Sequence, residues 1–300
     1  MDLPERTLAF LAAVAPACLI AIILYALGKR LLPNGVRTLA LVMGPFSALS
    51  SFLGIIVFAA VYLSQPSLPK ALLLAFFGAG IPEETAKFAL LVSIVLRHYE
   101  ADVRRDAILA GAWLGLGFGV FENFFYVTQG HQWPTIGLVR AVTSVPFHVA
   151  LGMIMGFFLS RFGLKRGWPL ALIVPVILHG LFDWPLMAHD FAKASIDATS
   201  IAYGGVYLAV LITTAFLVSR PVARQLRELG REAWRNRATP PGPILLAGVA
   251  GIAGLLRIGA MIAVGFATVA GFAVDARYAA LVATAILPFT FAELWRSVRT

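Results

Sequence analysis

Charged residues are scarce in this chain. Asp, Glu, Lys and Arg make up 13% of its 300 residues, whereas hydrophobic residues make up 60%. A soluble domain carries about 25% charged residues, so the composition excludes an ordinary water-soluble protein. Apolar runs of roughly 20 residues, which can cross a bilayer as helices, recur along the sequence. The composition therefore predicts an all-α polytopic membrane protein.

Cysteine is nearly absent, and the N-terminus lacks a cationic segment. The single cysteine, Cys18, excludes a disulfide within the chain. Residues 1–7 lack the positively charged region with which a secretory signal begins. We therefore expect the first apolar run to be a retained helix.

About nine apolar runs are long enough to be transmembrane helices. The predicted spans are residues 8–27, 36–63, 68–96, 107–127, 139–160, 168–188, 200–219, 244–274 and 278–294. Lys and Arg lie mainly in alternate loops, with 17 in the odd-numbered loops and the C-terminus and four on the other side. The positive-inside rule then predicts the N-terminus outside and the C-terminus in the cytoplasm.

The chain divides into four predicted parts. They are a transmembrane helix (1–35), a helical core (36–220), a basic cytoplasmic segment (221–243) and additional C-terminal transmembrane helices (244–300). Arginines recur at helical spacing in residues 220–237, with Leu226 and Leu229 able to face lipid. We expect an interfacial helix on anionic lipid headgroups there. The loops account for the net charge of +9, and no nucleic-acid partner is expected.

The segment Gly80-Ile-Pro-Glu83-Glu84-Thr-Ala-Lys87 places two carboxylates and a lysine inside an apolar run. Each ionisable group at mid-membrane costs roughly 2.5–3.5 kcal/mol on insertion scales, so such groups usually mark functional sites. On a helix Lys87 can reach either carboxylate, which leaves the other available. A structural contact between helices is the alternative interpretation.

More polar residues follow in the next three predicted helices. His179 and Asp183 share one helix face at a spacing of i,i+4. With a rise of ~1.5 Å per residue along each helix, the depths of these additional polar residues and of the Glu pair allow them to meet in one cavity. This cavity opens toward the outer half of the membrane. Each alone also fits a structural hydrogen bond. The additional candidates are Glu122, Asn123, Arg140, His148, His179 and Asp183.

Two chemistries fit this set, and both predict hydrolysis. In the first, Glu and His activate water without a metal, and a histidine stabilises the oxyanion. In the second, Glu122, His148 and His179 bind zinc, with Asp183 or one Glu of the pair as a further ligand, and a free Glu is the base. No HExxH motif is present. The glycines at 115, 117, 119 and 152 suit close helix packing.

Four motifs resemble those of the PrsW family of intramembrane proteases, relatives of the CAAX prenyl proteases. Residues 83–87 resemble its EExxK motif and residues 118–122 its FxxxE motif, while His148 and residues 179–183 resemble its later histidine motifs. The resemblance covers about residues 36–220. Where CAAX enzymes have a histidine in the second motif, this chain has Glu122, and no prenylated substrate is implied.

The resemblance implies a multi-pass protease of the prokaryotic plasma membrane that cuts transmembrane protein substrates near the outer face. The best-known role of a protease in this family is site-1 cleavage of an anti-sigma factor. The family is described both as metallo- and as glutamic-type, so both chemistries stay open.

We therefore predict an intramembrane endopeptidase with Glu83 or Glu84 as general base. Asp183 orients His179. A proton- or cation-coupled transporter using the same residues as a relay is the alternative, although no inverted repeat is visible. A non-catalytic membrane scaffold is the third interpretation, after the protease and the transporter. The catalytic residues are predicted to be Glu83, Glu84, Glu122, His148 and His179, supported by Lys87, Asn123, Arg140 and Asp183.

Overall fold

The structure, a computed structural model, consists of helices throughout the residues that it describes. These are residues 3–28, 32–57, 59, 67–98, 107–128, 137, 140, 143–192 and 198–236. Two π-helical segments, Leu74–Gly80 and Val218–Val222, each join two consecutive α-helices. The α-helices are α1 (Leu3–Gly28), α2 (Asn34–Ser47), α3 (Leu49–Val57), α4 (Leu68–Leu73), α5 (Ile81–His98), α6 (Ala107–Thr128), α7 (Ser144–Ala192), α8 (Ala198–Leu217) and α9 (Ala223–Asn236).

Four helical stretches in the described part of the chain are long and apolar enough to cross a membrane. They are Asn34–Gly54, Ala107–Thr128, Ser144–Ala188 and Gly204–Leu229. The described parts of the first seven predicted spans are helical apart from turns at Ala48 and Thr143. The last two predicted spans, in residues 244–294, lie outside the described residues. The count of nine and the orientation therefore stay predictions.

Helix α7 is two helices joined at Gly163. That glycine has φ 71° and ψ 170°, a positive φ that favours glycine because no Cβ is present. A Cβ on Gly167 would collide with the carbonyl oxygen of Phe158, so the chain reverses between these two residues. Since about 20 residues suffice for one crossing, the 45-residue stretch Ser144–Ala188 is long enough for two.

Helix α6 is central, and glycines bring it against α7. All residues from Ala107 to Gly119 are buried. A Cβ on Gly111 would collide with the carbonyl of Gly152, and one on Gly115 with the carbonyl of His148. The two helices are therefore antiparallel and in close backbone contact, as small residues permit. This confirms the predicted packing role of the glycines and places His148 beside α6.

Helix α9 packs on the protein. Leu226 and Leu229 are 1% and 5% exposed and belong to the hydrophobic core. The expectation that they face lipid is wrong, because other helices supply their apolar partners. Arg220 and Arg224 are exposed, so the contact of this segment with anionic headgroups stays a prediction.

Candidate active site

The ionisable side chains predicted from the sequence converge between α5, α6 and the two halves of α7. The carboxylates of Glu83 and Glu84 lie in the first turn of α5. Glu84, His148 and His179 are each at most 1% exposed. The helices thus assemble a buried polar site from segments that are distant in sequence.

The start of α5 is shaped by proline and glycine. Pro82 has no N–H to complete the preceding helical turn, and residues 74–80 adopt the wider π-helical form. A Cβ on Gly80 would lie 3.2 Å from the backbone nitrogen of Gly180 in α7. Because Gly80 has no Cβ, the chain that leads into α5 approaches α7 closely, and Glu84 reaches His179.

Lys87 lies in the middle of the site. Its Nζ is 2.6 Å from Glu84 Oε1 and 3.3 Å from His148 Nδ1. It also lies 3.6 Å from the centroid of the Phe118 ring, a cation–π contact. Lys87 therefore neutralises Glu84, a choice between the two carboxylates that the sequence left open.

His179 is held between carboxylates. Its Nδ1 is 2.7 Å from Glu84 Oε1, and its Nε2 is 3.2 Å from Asp183 Oδ2. The structure thus brings His179 and Asp183 together as their i,i+4 spacing predicts. The same Nε2 is 3.6 Å from Glu83 Oε2, so both members of the Glu pair approach this histidine.

Glu122 forms a second cluster with His148. Its Oε2 is 2.8 Å from His148 Nε2 and 2.6 Å from Arg140 Nη2. Ser144 Oγ lies 3.2 Å from the same oxygen. Asn123, the neighbour of Glu122 on α6, is fully buried. The predicted Glu122, Arg140 and His148 therefore lie together.

Ser51 is a contact that sequence reasoning missed. Its hydroxyl on α3 donates to Glu83 Oε1 at 2.8 Å. Glu83 Oε2 and Glu84 Oε2 are buried and have no hydrogen-bond partner among the described residues. The signal in the sequence is only the Ser50-Ser51 pair within an apolar run, and serine is common in membrane helices for packing alone.

Three of these residues have the geometry of a metal site. Glu84, His148 and His179 each offer one ligand atom, and these atoms lie within 4.8 Å of one another. Two histidines and a glutamate are a ligand set of catalytic zinc sites, and Glu84 Oε2 is buried without a hydrogen-bond partner among the described residues. These residues therefore fit a divalent cation. The set predicted from the sequence is Glu122, His148 and His179, with Asp183 or one Glu of the pair as a further ligand.

Comparisons with known proteins point to one protein family. The sequence model of the PrsW family intramembrane metalloproteases matches residues 32–218. Protease PrsW of Bacillus subtilis is 34% identical over 151 residues, which are 46% of this chain and 68% of that protein. Protease PrsW of Halalkalibacterium halodurans is 32% identical over 179 residues, which are 57% of this chain and 80% of that protein.

A shorter similarity concerns a different protein. A UPF0060 membrane protein of Polaromonas naphthalenivorans is 42% identical over 64 residues, which are 21% of this chain and 56% of that protein. No solved structure matches the chain.

The family match spans more than half of the chain and contains every predicted site residue. It favours proteolysis over the ion-coupled transporter that the sequence left as an alternative. The chain belongs to the PrsW family of intramembrane metalloproteases and is a multi-pass integral membrane protein.

Proposed function

We propose that this enzyme hydrolyses a peptide bond of a membrane-embedded protein substrate, with Glu83 as general base and with Glu84, His148 and His179 as ligands of a divalent cation. The observation that carries the proposal is the buried group formed by those three ligands. Glu83 supports it because its Oε2 lies 3.6 Å from His179 within the same site.

The cation, for which zinc is the candidate, supplies Lewis-acid chemistry when bound: it acidifies water and polarises a carbonyl. Glu84 contributes a negative charge, and the histidines contribute ring nitrogens. The rings of Phe118 and Phe147 lie 4.6 Å from His148 and 6.3 Å from His179, measured between centroids. These apolar neighbours limit water near the site and so strengthen its electrostatic interactions.

Glu83 has the arrangement that a general base needs. Ser51 fixes one carboxylate oxygen, and the other has no hydrogen-bond partner in the described part of the protein. Lys87 pairs with Glu84 instead. The unpartnered oxygen of Glu83 takes a proton from the attacking water and returns it to the leaving amine.

A metal-free mechanism uses the same residues, with Glu83 and the histidines acting on water directly. Metal analysis separates the two mechanisms. For the substrate, the location of the site on membrane-spanning helices supports a transmembrane segment. Site-1 cleavage of an anti-sigma factor is the specific role that the family resemblance suggests.

The test is elemental analysis together with cleavage of a transmembrane reporter substrate. We expect about one metal ion per chain in the wild type, loss of metal and cleavage in His148→Gln, and loss of cleavage alone in Glu83→Gln. Glu228→Gln is the matched control, because that side chain is half-exposed and its carboxylate lies 3.8 Å from Arg161. Cleavage by a metal-free preparation would establish the metal-free mechanism, and full activity of Glu83→Gln would exclude that residue as the base.

A further inference from the structure

The two ring nitrogens of His148 have different surroundings. Nδ1 lies 3.3 Å from Lys87 Nζ, and that ammonium is bonded to Glu84. Nε2 lies 2.8 Å from Glu122 Oε2. One nitrogen thus faces Lys87, which is paired with the candidate metal ligand Glu84, and the other faces Glu122.

These contacts determine where the ring proton lies. An ammonium group has donors and no acceptor, so Lys87 donates to Nδ1, which must carry a lone pair. The proton of the neutral ring is then on Nε2, which donates to the carboxylate of Glu122. Both hydrogen bonds select the Nε2–H tautomer of His148.

Glu122 is itself held in place by two more donors. Arg140 Nη2 lies 2.6 Å from Glu122 Oε2 and also donates to Ser144 Oγ at 2.9 Å. Ser144 donates to the same carboxylate oxygen at 3.2 Å, and the Arg140 guanidinium lies 4.1 Å above the ring of Tyr126. Three donors therefore converge on one oxygen of Glu122, which holds this carboxylate beside His148.

We propose that Glu122 is a positioning residue that fixes the tautomer of His148 and presents Nδ1 to the cation; this inference rests on the proposed metal site. A carboxylate that accepts a hydrogen bond from a metal-binding histidine orients the ring and raises its basicity. His179 has the same arrangement, with Nδ1 toward Glu84 and Nε2 toward Asp183. Glu122 thus acts on the metal through His148.

The test is nitrogen NMR of protein labelled with ¹⁵N at its five histidines. The variant His148→Gln assigns the signals of His148. In the metal-free wild type we expect a protonated Nε2 and an unprotonated Nδ1. After addition of ¹¹³Cd²⁺, we expect a cadmium–nitrogen coupling at Nδ1.

Variants of Glu122 complete the experiment. Glu122→Gln keeps the side-chain shape, and Glu122→Ala removes the acceptor; in both we expect a smaller share of the Nε2–H tautomer, because only the hydrogen bond from Lys87 still selects it, and about 10–100-fold weaker cadmium binding. Glu228→Gln should leave both measurements at the wild-type value.

Coupling at Nε2 in the wild type would overturn the proposal, and so would unchanged tautomer and affinity in both Glu122 variants. Failure of the wild type to bind cadmium would instead contradict the proposed metal site. The metal-free spectra would then still decide the role of Glu122. A weaker tautomer preference in Glu122→Ala than in the wild type supports that role, and an unchanged preference overturns it.

Discussion

Lys87 brings a positive charge to the centre of the site. It is 1% exposed, and its ammonium contacts Glu84 and His148, two of the three candidate metal ligands. It therefore balances the charge of Glu84 when no cation is bound. A bound cation has to compete with the Lys87 ammonium for Glu84 and His148.

Replacing Lys87 by methionine should make stability depend on metal. Removing one partner of a buried ion pair costs about 3–5 kcal/mol, because the other charge is left unpaired. We expect a lower Tm for Lys87→Met in chelator and recovery toward the wild-type value with Zn²⁺. Lys165→Met is the control, since Lys165 is exposed. Equal Tm values of Lys87→Met and wild type in chelator would contradict this role.

Ser51 should affect catalysis through Glu83. A hydrogen bond to a charged group is worth about 1.5–3 kcal/mol, so Ser51→Ala should lower kcat by about 10-fold or more while metal content stays constant. Ser50→Ala is the matched control, because the Ser50 hydroxyl donates to the backbone carbonyl of Ser47, three residues earlier in the chain, and not to Glu83. If the two variants have equal kcat, Ser51 does not position the base.

Residue types were predictable from the sequence, and so was the pair of His179 and Asp183 on one helix face, whereas the pairings between helices and the choice of Lys87 were not. Carboxylates and histidines are costly in apolar runs, so Glu83, Glu84, His148 and His179 stand out in the sequence alone. The pairing of Lys87 depends on tertiary structure, because both carboxylates are within reach along the helix. Ser51 was missed for the same reason: its contact depends on the register of α3 against α5.

Among the elements, the contact between α6 and α7 has the most direct consequence for the site. Both helices use glycine where their backbones meet, and one contact is the carbonyl of His148 itself. The position of this histidine is therefore set by packing between helix backbones.

Adding one methyl group at Gly115 should separate these helices. Gly115→Ala places a Cβ against the carbonyl of His148, and overpacking of this kind costs about 1–3 kcal/mol. We expect a lower Tm and at least 10-fold lower cleavage, since small displacements of catalytic groups reduce rates strongly. Gly204→Ala has no atom within 4 Å of the new Cβ and should retain activity. Wild-type activity of Gly115→Ala would show that the contact does not position His148.

The presence of helices could be predicted from hydropathy, but the positions at which they are interrupted could not. The span predicted at residues 107–127 is observed as α6, Ala107–Thr128, because charged residues precede the apolar run and polar residues follow it. The predicted span 36–63 is broken at Ala48, three residues after Pro45, whose carbonyl accepts a hydrogen bond from the Ala48 amide. Such local hydrogen bonding leaves no trace in average hydropathy.

At the scale of the whole molecule, the exposed surface of the described helices is strongly apolar. Ile22, Leu53 and Ile56 are 66%, 60% and 71% exposed. A water-soluble protein buries side chains of this type in its core, whereas lipid chains solvate them. The exposed surface thus supports the multi-pass membrane location that the family match gives.

The exposed basic residues near Gly163 and the active site lie in different halves of the molecule. Arg161, Lys165 and Arg166 are exposed around the Gly163 reversal, and Arg161 lies 3.8 Å from Glu228 of α9, which places the basic α9 on the same side. His148 is 13 residues before Arg161 on one helix, or about 20 Å at 1.5 Å per residue. If the basic side is cytoplasmic, as the positive-inside rule predicts, the site lies in the outer half of the membrane.

This orientation can be measured with the single exposed cysteine removed. In a Cys18→Ala background, we expect Lys165→Cys to react with a membrane-impermeant maleimide in inside-out vesicles and to be protected in intact cells. Permeabilised cells serve as the control for thiol reactivity. Labelling in intact cells would reverse the predicted orientation and place the Glu/His site in the cytoplasmic half. Cleavage of a transmembrane reporter would then be expected near its cytoplasmic end, so the position of the cut tests the same orientation independently.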